Sequence, residues 1–194
     1  MSGTRQRARG GARARDEVVR LKRALAAAGR RIAALERLVG RDPLTGVLNR
    51  RGFEAELDRA LAFSRRYGTG AALAFFDIDR FKGINDRFGH AAGDLALVHV
   101  ATALARNTRR SDIVARIGGD EFIVLLWTAG EADAAAKAER VREIIERPEA
   151  GRPDVAISVG VTVLRTEDTA ETALTRADAA MYADKTRRTG LRRA

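Results

Sequence analysis

Apolar residues recur at alternating intervals of three and four near the N-terminus, which predicts one continuous amphipathic helix. The positions are Val18, Leu21, Leu25, Ala28, Ile32, Leu35 and Val39. β-Branched residues at one heptad position and leucine at the other favour a parallel two-stranded coiled coil. We therefore predict a dimerising coiled coil over residues 16–41. Three heptads are short, and Gly29 costs about 1 kcal/mol inside a helix, so a single helix packed on its own domain is the alternative.

From residue 42 onwards the apolar pattern alternates between the periods of strands and helices. It predicts helices near 50–66, 80–88, 92–107, 131–147 and 169–187. It predicts strands in the apolar segments 70–78, 112–117, 121–127 and 154–164. The core order is βαββαβ, an α+β ferredoxin-like arrangement with an antiparallel central sheet and flanking helices on one face. The stretch "DPLTGVLNR" before it has turn chemistry.

The charge of the chain is concentrated at its ends. The 194 residues carry a net charge of +10, and residues 1–41 alone hold 12 basic and 3 acidic residues. Residues 1–15 contain five arginines and no acid, which predicts a disordered basic tail. Binding of nucleic acid or an anionic surface by this tail is the sharper alternative. The body, residues 42–184, is slightly acidic, so a nucleic-acid-binding face on the folded domain is not expected.

The composition excludes some kinds of chemistry and bears on where in the cell the protein is expected. The chain has no cysteine, so disulfides and thiolate catalysis are excluded. No apolar run is long enough to span a membrane, and no apolar stretch follows the arginine-rich N-terminus as a secretory signal requires. We expect a cytoplasmic protein. The 194 residues leave no room for a separate sensory domain, so control is expected from the N-terminal helix, the basic tail or product binding.

Four carboxylates are predicted to meet at one edge of the sheet. Asp77 and Asp79 end the first core strand, and Asp120 and Glu121 occupy the turn of the later hairpin. Carboxylates that approach one another repel unless a cation neutralises them. Oxygen ligands with open positions suit Mg²⁺ bound together with a substrate phosphate, and two such ions can activate an attacking oxygen and stabilise a leaving pyrophosphate.

Other metal and nucleotide sites fail on spacing. The segment "DIDRFKGINDRF" begins like a calcium loop, but Phe81, Lys82 and Phe88 occupy positions that the loop reserves for other residues. Two histidines, His90 and His99, are too few for a zinc site, and there is no P-loop motif. Gly118 and Gly119 lie next to the acids of the hairpin. They suit either a tight hairpin turn or close approach of the backbone to a ligand, and one turn can serve both purposes.

Four motifs occur in order with ordinary gaps: "DPLTGVLNRR", "FFDIDRFKGINDRFGHAAGD", "RRSDIVARIGGDEF" and "ISVGVT". Together they closely resemble the GGDEF family of bacterial diguanylate cyclases, over about residues 42–187. The resemblance implies a palm-like sheet, a GGDEF domain over residues 42–194, and condensation of two GTP molecules into cyclic di-GMP with release of two pyrophosphates. It also implies a homodimer, because each domain holds one GTP, and Mg²⁺ or Mn²⁺ at two ions per active half-site.

The same resemblance implies catalytic and metal-binding roles by position. Asp77 and the carbonyl of Ile78 are similar to metal ligands. Asp120 is similar to the second metal carboxylate, which helps to activate the ribose 3′-hydroxyl. Glu121 is similar to a supporting ligand, and Lys82 to a group that neutralises phosphate charge.

It further implies substrate- and product-binding roles. Asn85 and Asp94 resemble the pair that reads guanine, with helix capping as the alternative. Phe81 contributes a backbone N–H to phosphate, and His90 lies close to the nucleotide. The RxxD signature of an inhibitory product site is matched by Arg109 and Asp112, and its secondary arginine by Arg140.

The C-terminal motif departs from the family pattern. Lys185 matches the lysine that contacts the terminal phosphates, but the arginine that follows it is out of register. Arg188 or Arg192 is expected to substitute. Two rival functions remain open at this point: a receptor for cyclic di-GMP without catalytic activity, and a nucleic-acid adaptor acting through the tail.

Overall fold

The computed structural model describes residues 17–18, 20–25, 27, 29 and 40–191. The chain divides into two compact units, Met1–Val39 and Gly40–Ala194. In the first unit, the described residues are helical. The predicted basic tail and the rest of the predicted coiled coil lie outside the described residues. None of the helices in the described part of the chain has the length and apolar character that crossing a bilayer requires.

The second unit contains five strands and five helices among its described residues. The strands are β1 (Leu48–Asn49), β2 (Ala71–Ile78), β3 (Ile113–Arg116), β4 (Glu121–Trp127) and β5 (Ile157–Val163). The helices are α1 (Arg50–Tyr67), α2 (Phe81–Phe88), α3 (His90–Arg106), α4 (Glu131–Glu146) and α5 (Ala170–Leu191). Every helix and strand predicted from residue 50 onwards is present, with boundaries that differ by at most four residues.

The strands form one sheet in the order β1-β3-β4-β2-β5. Strand β2 is antiparallel to both β4 and β5, and β3 is antiparallel to β4. These four strands confirm the predicted ferredoxin-like core. Strand β1 was not predicted and pairs parallel with β3, which makes the whole sheet mixed. A strand of two residues is too short to produce a periodic pattern in the sequence.

Helices cover both faces of the sheet, so the prediction of helices on one face was wrong. Phe76 and Ala74 of β2 belong to an apolar cluster that includes residues of α3 and α4. Phe75 and Leu73 belong to a second cluster, with residues of α1 and α5. All eight residues of β2 are buried. Its continuous apolar sequence, without polar alternation, is typical of a strand covered on both sides.

Strand β5 is an edge strand whose outward backbone groups are bound by side chains. Unpaired N–H and C=O groups on an edge can pair with another chain. Here charged side chains of α4 and α5 take those positions. Glu146 accepts from the amide of Ile157 and Asp184 from that of Val159, while Arg188 and Arg176 donate to the carbonyls of Ile157 and Val163.

Helix α5 lies directly against β5 because position 160 is glycine. A Cβ atom on Gly160 would lie 2.0 Å from the backbone nitrogen of Met181 and 2.6 Å from the carbonyl oxygen of Ala177. A side chain at this position would therefore force the helix away from the sheet. The close contact, together with Asp184, sets the position of the helix turn that carries Lys185.

The turn between β3 and β4 is tied to the start of the unit by Arg116. Its guanidinium donates to the carbonyl oxygen of Gly119 at 2.6 Å and pairs with Asp42 at 3.2 Å. Asp42 also accepts from the amide and hydroxyl of Thr45. Burial alone would raise the pKa of Asp42, but the Thr45 hydrogen bonds and Arg116 outweigh it and lower that pKa. The network therefore contributes stability at neutral pH that is lost as the pH falls through the lowered pKa.

We expect Arg116→Lys to lower the free energy of unfolding by about 1–3 kcal/mol, because an ammonium cannot serve Asp42 and Gly119 together and charged hydrogen bonds of this kind carry such energies. Chemical denaturation at pH 7 measures the change. Arg59→Lys is the matched control, since the Arg59 side chain is 72% exposed and pairs with Glu56 at the surface. Equal stability of the two variants would contradict a structural role for Arg116.

Candidate functional site

Carboxylates meet at the end of β2, as the sequence predicts. Asp77 lies opposite Glu121 on β4 and opposite Ser158 on β5. The amide of Ile78 donates to the carbonyl of Asp120 at 3.2 Å, which ties the glycine turn to the end of the central strand. Asp77 is buried, whereas Asp120 and Glu121 are half-buried. The cluster therefore opens to solvent on the side of the turn.

Asp79, the second carboxylate of the strand end, takes a different role. Its side chain accepts a hydrogen bond from the hydroxyl of Ser158 at 2.6 Å, and its amide donates to the carbonyl of Ala156 at 2.8 Å. These bonds join the end of β2 to the segment that leads into β5. The chain after Asp79 then turns through Arg80, whose φ of 55° is the left-handed conformation that non-glycine residues seldom adopt.

Lys185 of α5 supplies a positive charge to the carboxylates. Its ammonium nitrogen lies 2.5 Å from Oδ1 of Asp77. Burial raises the pKa of Asp77, and the neighbouring charges of Asp120 and Asp79 add to that rise, while the ion pair with Lys185 opposes it. Burial alone would lower the pKa of Lys185, but its pairing with Asp77 and the other acids raises it. The net effect is that the pKa of Lys185 and the pKa of Asp77 are both raised.

The pKa of Glu121 is also raised. Burial raises its pKa, and the charges of Asp77 and Asp120 raise it further, whereas Arg50 lowers it. Arg50 also donates through Nε to the carbonyl of Ile117 at 3.0 Å, so one side chain of α1 contacts the turn and offsets part of its charge. Such clustering of acids is a physical sign of a site that receives a cation.

The two glycines of the turn between β3 and β4 have different surroundings. The hairpin predicted at these glycines is present, although neither Gly118 nor Gly119 has a positive φ. A Cβ atom on Gly118 would lie 2.0 Å from Oε2 of Glu121, so this glycine lets the Glu121 side chain fold back over the turn. A Cβ atom on Gly119 would meet nothing within 4 Å. The second glycine therefore leaves an open surface beside Asp120.

The N-terminus of α2 begins three residues after the end of β2. The Arg80 carbonyl accepts from Gly83 and Ile84, and the amides of Phe81 and Lys82 belong to the first helical turn. Amides of a first turn have no partner within the helix and can bind anions. The Lys82 side chain is exposed. Phe81 packs on the core cluster that includes residues of α3 and α4.

Asn85 is held at the corner between α2 and α3. A Cβ atom on Gly93 would lie 2.0 Å from Oδ1 of Asn85 and 3.2 Å from Cζ of Phe81. Gly93 therefore provides the space that both side chains occupy. His90 and Asp94, in the first turns of α3, are exposed. The predicted guanine-reading pair thus comes from two adjoining helices, next to the predicted phosphate-binding turn.

A second predicted group lines a cavity at the opposite end of β4. Arg109, Asp112 and Arg140 surround a cavity of about 680 Å³, together with Arg106 and Lys137. Strand β4 begins at Glu121 and reaches this cavity at Trp127, so the two sites lie roughly 20 Å apart along six residue steps. The carboxylates and the RxxD residues are therefore separate sites joined by one buried strand.

Asp112 forms the base of this cavity and is engaged by three internal donors. Its Oδ2 accepts from the amide of Arg109 at 2.9 Å and from Lys137 at 2.7 Å, and its Oδ1 accepts from the amide of Trp127 at 3.3 Å. The carboxylate builds the wall that presents the arginines. Sequence reasoning missed Lys137, because one lysine on the surface pattern of α4 carries no motif.

Arg188 does not lie among the carboxylates of the site. It pairs with Glu146 at 2.6 Å and donates to the carbonyl of Ile157. With these partners it is committed to the edge of β5, which argues against the expectation that it substitutes for the missing phosphate-binding arginine. Arg192, the other candidate, lies outside the described residues.

The donor atoms fit a hard divalent cation in type. Asp77, Asp120 and the Ile78 carbonyl offer only oxygen, as Mg²⁺ or Mn²⁺ prefers. Over residues 40–191 and the described part of the N-terminal helix, no three His, Cys, Asp or Glu side chains come together as a metal-binding group. Two carboxylates and a carbonyl are the oxygen donors that the end of β2 and its adjoining turn offer.

Comparison with known proteins gives the family. The model described as "Diguanylate cyclase, GGDEF domain" matches residues 39–190. Diguanylate cyclase TpbB of Pseudomonas aeruginosa is 40% identical over 167 residues, which cover 83% of this chain and 38% of that protein. Diguanylate cyclase DosC of Escherichia coli is 39% identical over 154 residues, which cover 77% of this chain and 34% of that protein. The chain thus spans less than two-fifths of the length of these curated relatives.

Solved structures share the fold. The GGDEF domain of DgcB from Caulobacter crescentus, in complex with c-di-GMP, matches with a TM-score of 0.72 and 33% identity, over 76% of this chain and 88% of that one. The coiled coil and GGDEF domain of the same protein match with a TM-score of 0.72 and 31% identity, over 87% and 93%. By its sequence, its fold and the residues at the end of β2, this chain belongs to the GGDEF domain family.

Proposed function

We propose that this chain is a diguanylate cyclase that condenses two GTP molecules into cyclic di-GMP with release of two pyrophosphates. The observation that carries the proposal is the meeting of Asp77, Asp120 and Glu121 at the end of β2, beside an open glycine turn. A cluster retained only for structure would have no reason to hold three acids that repel one another. The relatives named as diguanylate cyclases support the same activity.

The residues divide the work of phosphoryl transfer between them. Asp77, Asp120 and the carbonyl of Ile78 would hold Mg²⁺ or Mn²⁺, which when bound supplies charge neutralisation and lowers the pKa of a coordinated hydroxyl. Asp120, on the open side of the cluster, would accept the proton of the ribose 3′-hydroxyl. Glu121 would support the charge balance of the pair. We propose two ions per half-site, as the family resemblance implies.

Substrate binding would use the corner formed by α2 and α3. The first-turn amides at Phe81 and Lys82, with the Lys82 ammonium, would receive the phosphates. Asn85 and Asp94 would read the guanine edge, because an amide and a carboxylate match the donors and acceptors of that base. His90 would lie beside the nucleotide, and Lys185 would contact the terminal phosphates.

The direct test is incubation with GTP and Mg²⁺, with the product identified by mass. We expect cyclic di-GMP from the wild type and at least about a hundredfold less from Asp120→Asn, the minimum cost of losing a positioned proton acceptor. Asp58→Asn, which changes an exposed acid of α1, is the matched control and should retain full activity. A wild type that binds cyclic di-GMP without producing it would instead support the receptor function.

We further propose that the N-terminal helix brings two catalytic domains together. Each domain would hold one GTP, so the bond-forming step needs two copies facing each other. The seam residues Val18, Leu21 and Leu25 are 49%, 57% and 75% exposed in the single chain, as expected of positions that a partner helix covers. A neighbour whose structure contains a coiled coil joined to a GGDEF domain supports this assignment.

Leu25→Asp should convert dimer to monomer and lower the specific activity about tenfold at low protein concentration, because the loss of a tether removes the high effective concentration of the second domain. Sedimentation and activity measured over a dilution series test this. Arg23→Asp is the matched control, because Arg23 is two residues away and lies on the helix face opposite the seam. Specific activity of the seam variant that is independent of dilution and equal to wild type would rule out this role.

We also propose that the cavity lined by Arg109, Asp112 and Arg140 binds cyclic di-GMP and inhibits the enzyme. Four cations, from Arg106, Arg109, Lys137 and Arg140, line it, and they match a ligand with two phosphates and two guanine edges. The c-di-GMP complex of a similar GGDEF domain supports the choice of ligand. Its position at the far end of β4 leaves the carboxylate site free.

Arg109→Ala should raise the concentration of cyclic di-GMP that gives half inhibition by at least about tenfold, the effect of losing a charged hydrogen bond of some 1.5 kcal/mol or more. Initial rates at rising product concentration test this. Arg110→Ala is the matched control, since Arg110 is exposed and does not line the cavity. Equal inhibition of both variants would remove the cavity as the inhibitory site.

A further inference from the structure

The Lys185–Asp77 ion pair places an ammonium where the proposed metal site needs a free carboxylate oxygen. Oδ1 of Asp77 is 2.5 Å from the Lys185 nitrogen, and the Asp77 side chain is only 9% exposed. A divalent cation bound to Asp77 at about 2.0–2.1 Å would lie close to that ammonium, and the two positive charges would repel each other. Metal binding at Asp77 is therefore opposed while Lys185 stays in this contact and favoured when Lys185 leaves.

We propose that Lys185 is an exchangeable internal cation: it neutralises Asp77 until a metal ion replaces it, and it then turns to the phosphates that arrive with the metal. The inference rests on the proposed function for the identity of the nucleotide. It assigns Lys185 two successive partners, where the family resemblance gives it only the second.

The structure supports movement of the side chain without movement of the helix. The Lys185 side chain is 35% exposed, and a lysine stem has four rotatable bonds. The neighbouring Asp184 is fixed, because it accepts from the amide of Val159 at 3.0 Å and pairs with Arg142 at 3.1 Å. The close contact at Gly160 holds the preceding turn against β5. Exchange is therefore a rotation about side-chain bonds on a rigid support.

Charge balance gives the exchange its direction. Asp120 and Asp79 both act on Lys185 and on Asp77, so removing the ammonium alone leaves a group of acids without compensation. A divalent ion restores that compensation, and the negative phosphates give the released ammonium a new partner. Metal and nucleotide should therefore bind cooperatively, with Lys185 as the coupling residue, and by reciprocity each should strengthen the other equally.

The test compares Mn²⁺ binding without nucleotide in the wild type, Lys185→Met and Lys185→Gln, followed by the electron paramagnetic resonance signal of free Mn²⁺. Both variants should bind Mn²⁺ about tenfold more tightly, because a nearby positive charge that competes for Asp77 has been removed. Both should lose the mutual strengthening of Mn²⁺ and GTP binding, because the residue that couples the two ligands is gone. Lys185→Arg, which keeps the charge, should bind Mn²⁺ like the wild type.

Lys137→Met is the matched control, because Lys137 also pairs with a buried aspartate, Asp112, at 2.7 Å but lies at the other cavity. It should leave Mn²⁺ affinity unchanged. Adding Asp77→Asn to Lys185→Met should remove the gain. Unchanged or weaker Mn²⁺ binding in both neutral variants would overturn the exchange. Because this readout needs no turnover, it stands whether or not the wild type forms cyclic di-GMP.

Discussion

Repulsion among carboxylates at the end of the central strand is the constraint around which the domain is organised. Asp77 is buried and lies opposite Glu121, with Asp120 in the adjoining turn. Such a group costs free energy unless cations lie close by. Two cationic side chains from different helices meet this need, Lys185 from α5 and Arg50 from α1. The folded domain is therefore held in a state that a divalent ion can improve electrostatically.

The support for this site is rigid because it lies on the middle of the sheet. Strand β2 has a partner on each side, and its residues are covered on both faces by apolar clusters. The glycine turn is fixed separately, by Arg116 and the Ile78 amide. The residues proposed to hold an ion thus lie on the sheet and its adjoining turn, whereas Lys185, which we propose to move, is a flexible side chain on a fixed helix.

The sequence predicts most of the core, and it predicts which acids lie together at the end of β2. Strand β4 and helix α1 were found because their apolar periods are long and unbroken. The two-residue strand β1 was missed because its pairing depends on β3, more than sixty residues away. The unbroken apolar run of β2 before Asp77 indicates a strand covered on both faces, whereas the ferredoxin-like order predicts helices on one face only.

Within the sites, the motifs predict which residues lie near one another but not which groups each side chain contacts. The ion pairs Lys185–Asp77 and Lys137–Asp112 join residues far apart in the chain, so no spacing rule reveals them. The same holds for Arg188, whose partners Glu146 and Ile157 come from elsewhere in the fold. Likewise, Gly118 is explained by contact with Glu121 and not by turn conformation. Pairings of this kind depend on tertiary packing.

The side chains that bind the outer edge of β5 also limit how two copies of the domain can approach. Glu146, Asp184, Arg188 and Arg176 occupy backbone groups that a second strand would need. Extension of the sheet from one molecule into the next is thereby disfavoured. The proposed meeting of two domains around their substrates would then use side-chain surfaces alone, without the formation of a continuous intermolecular sheet.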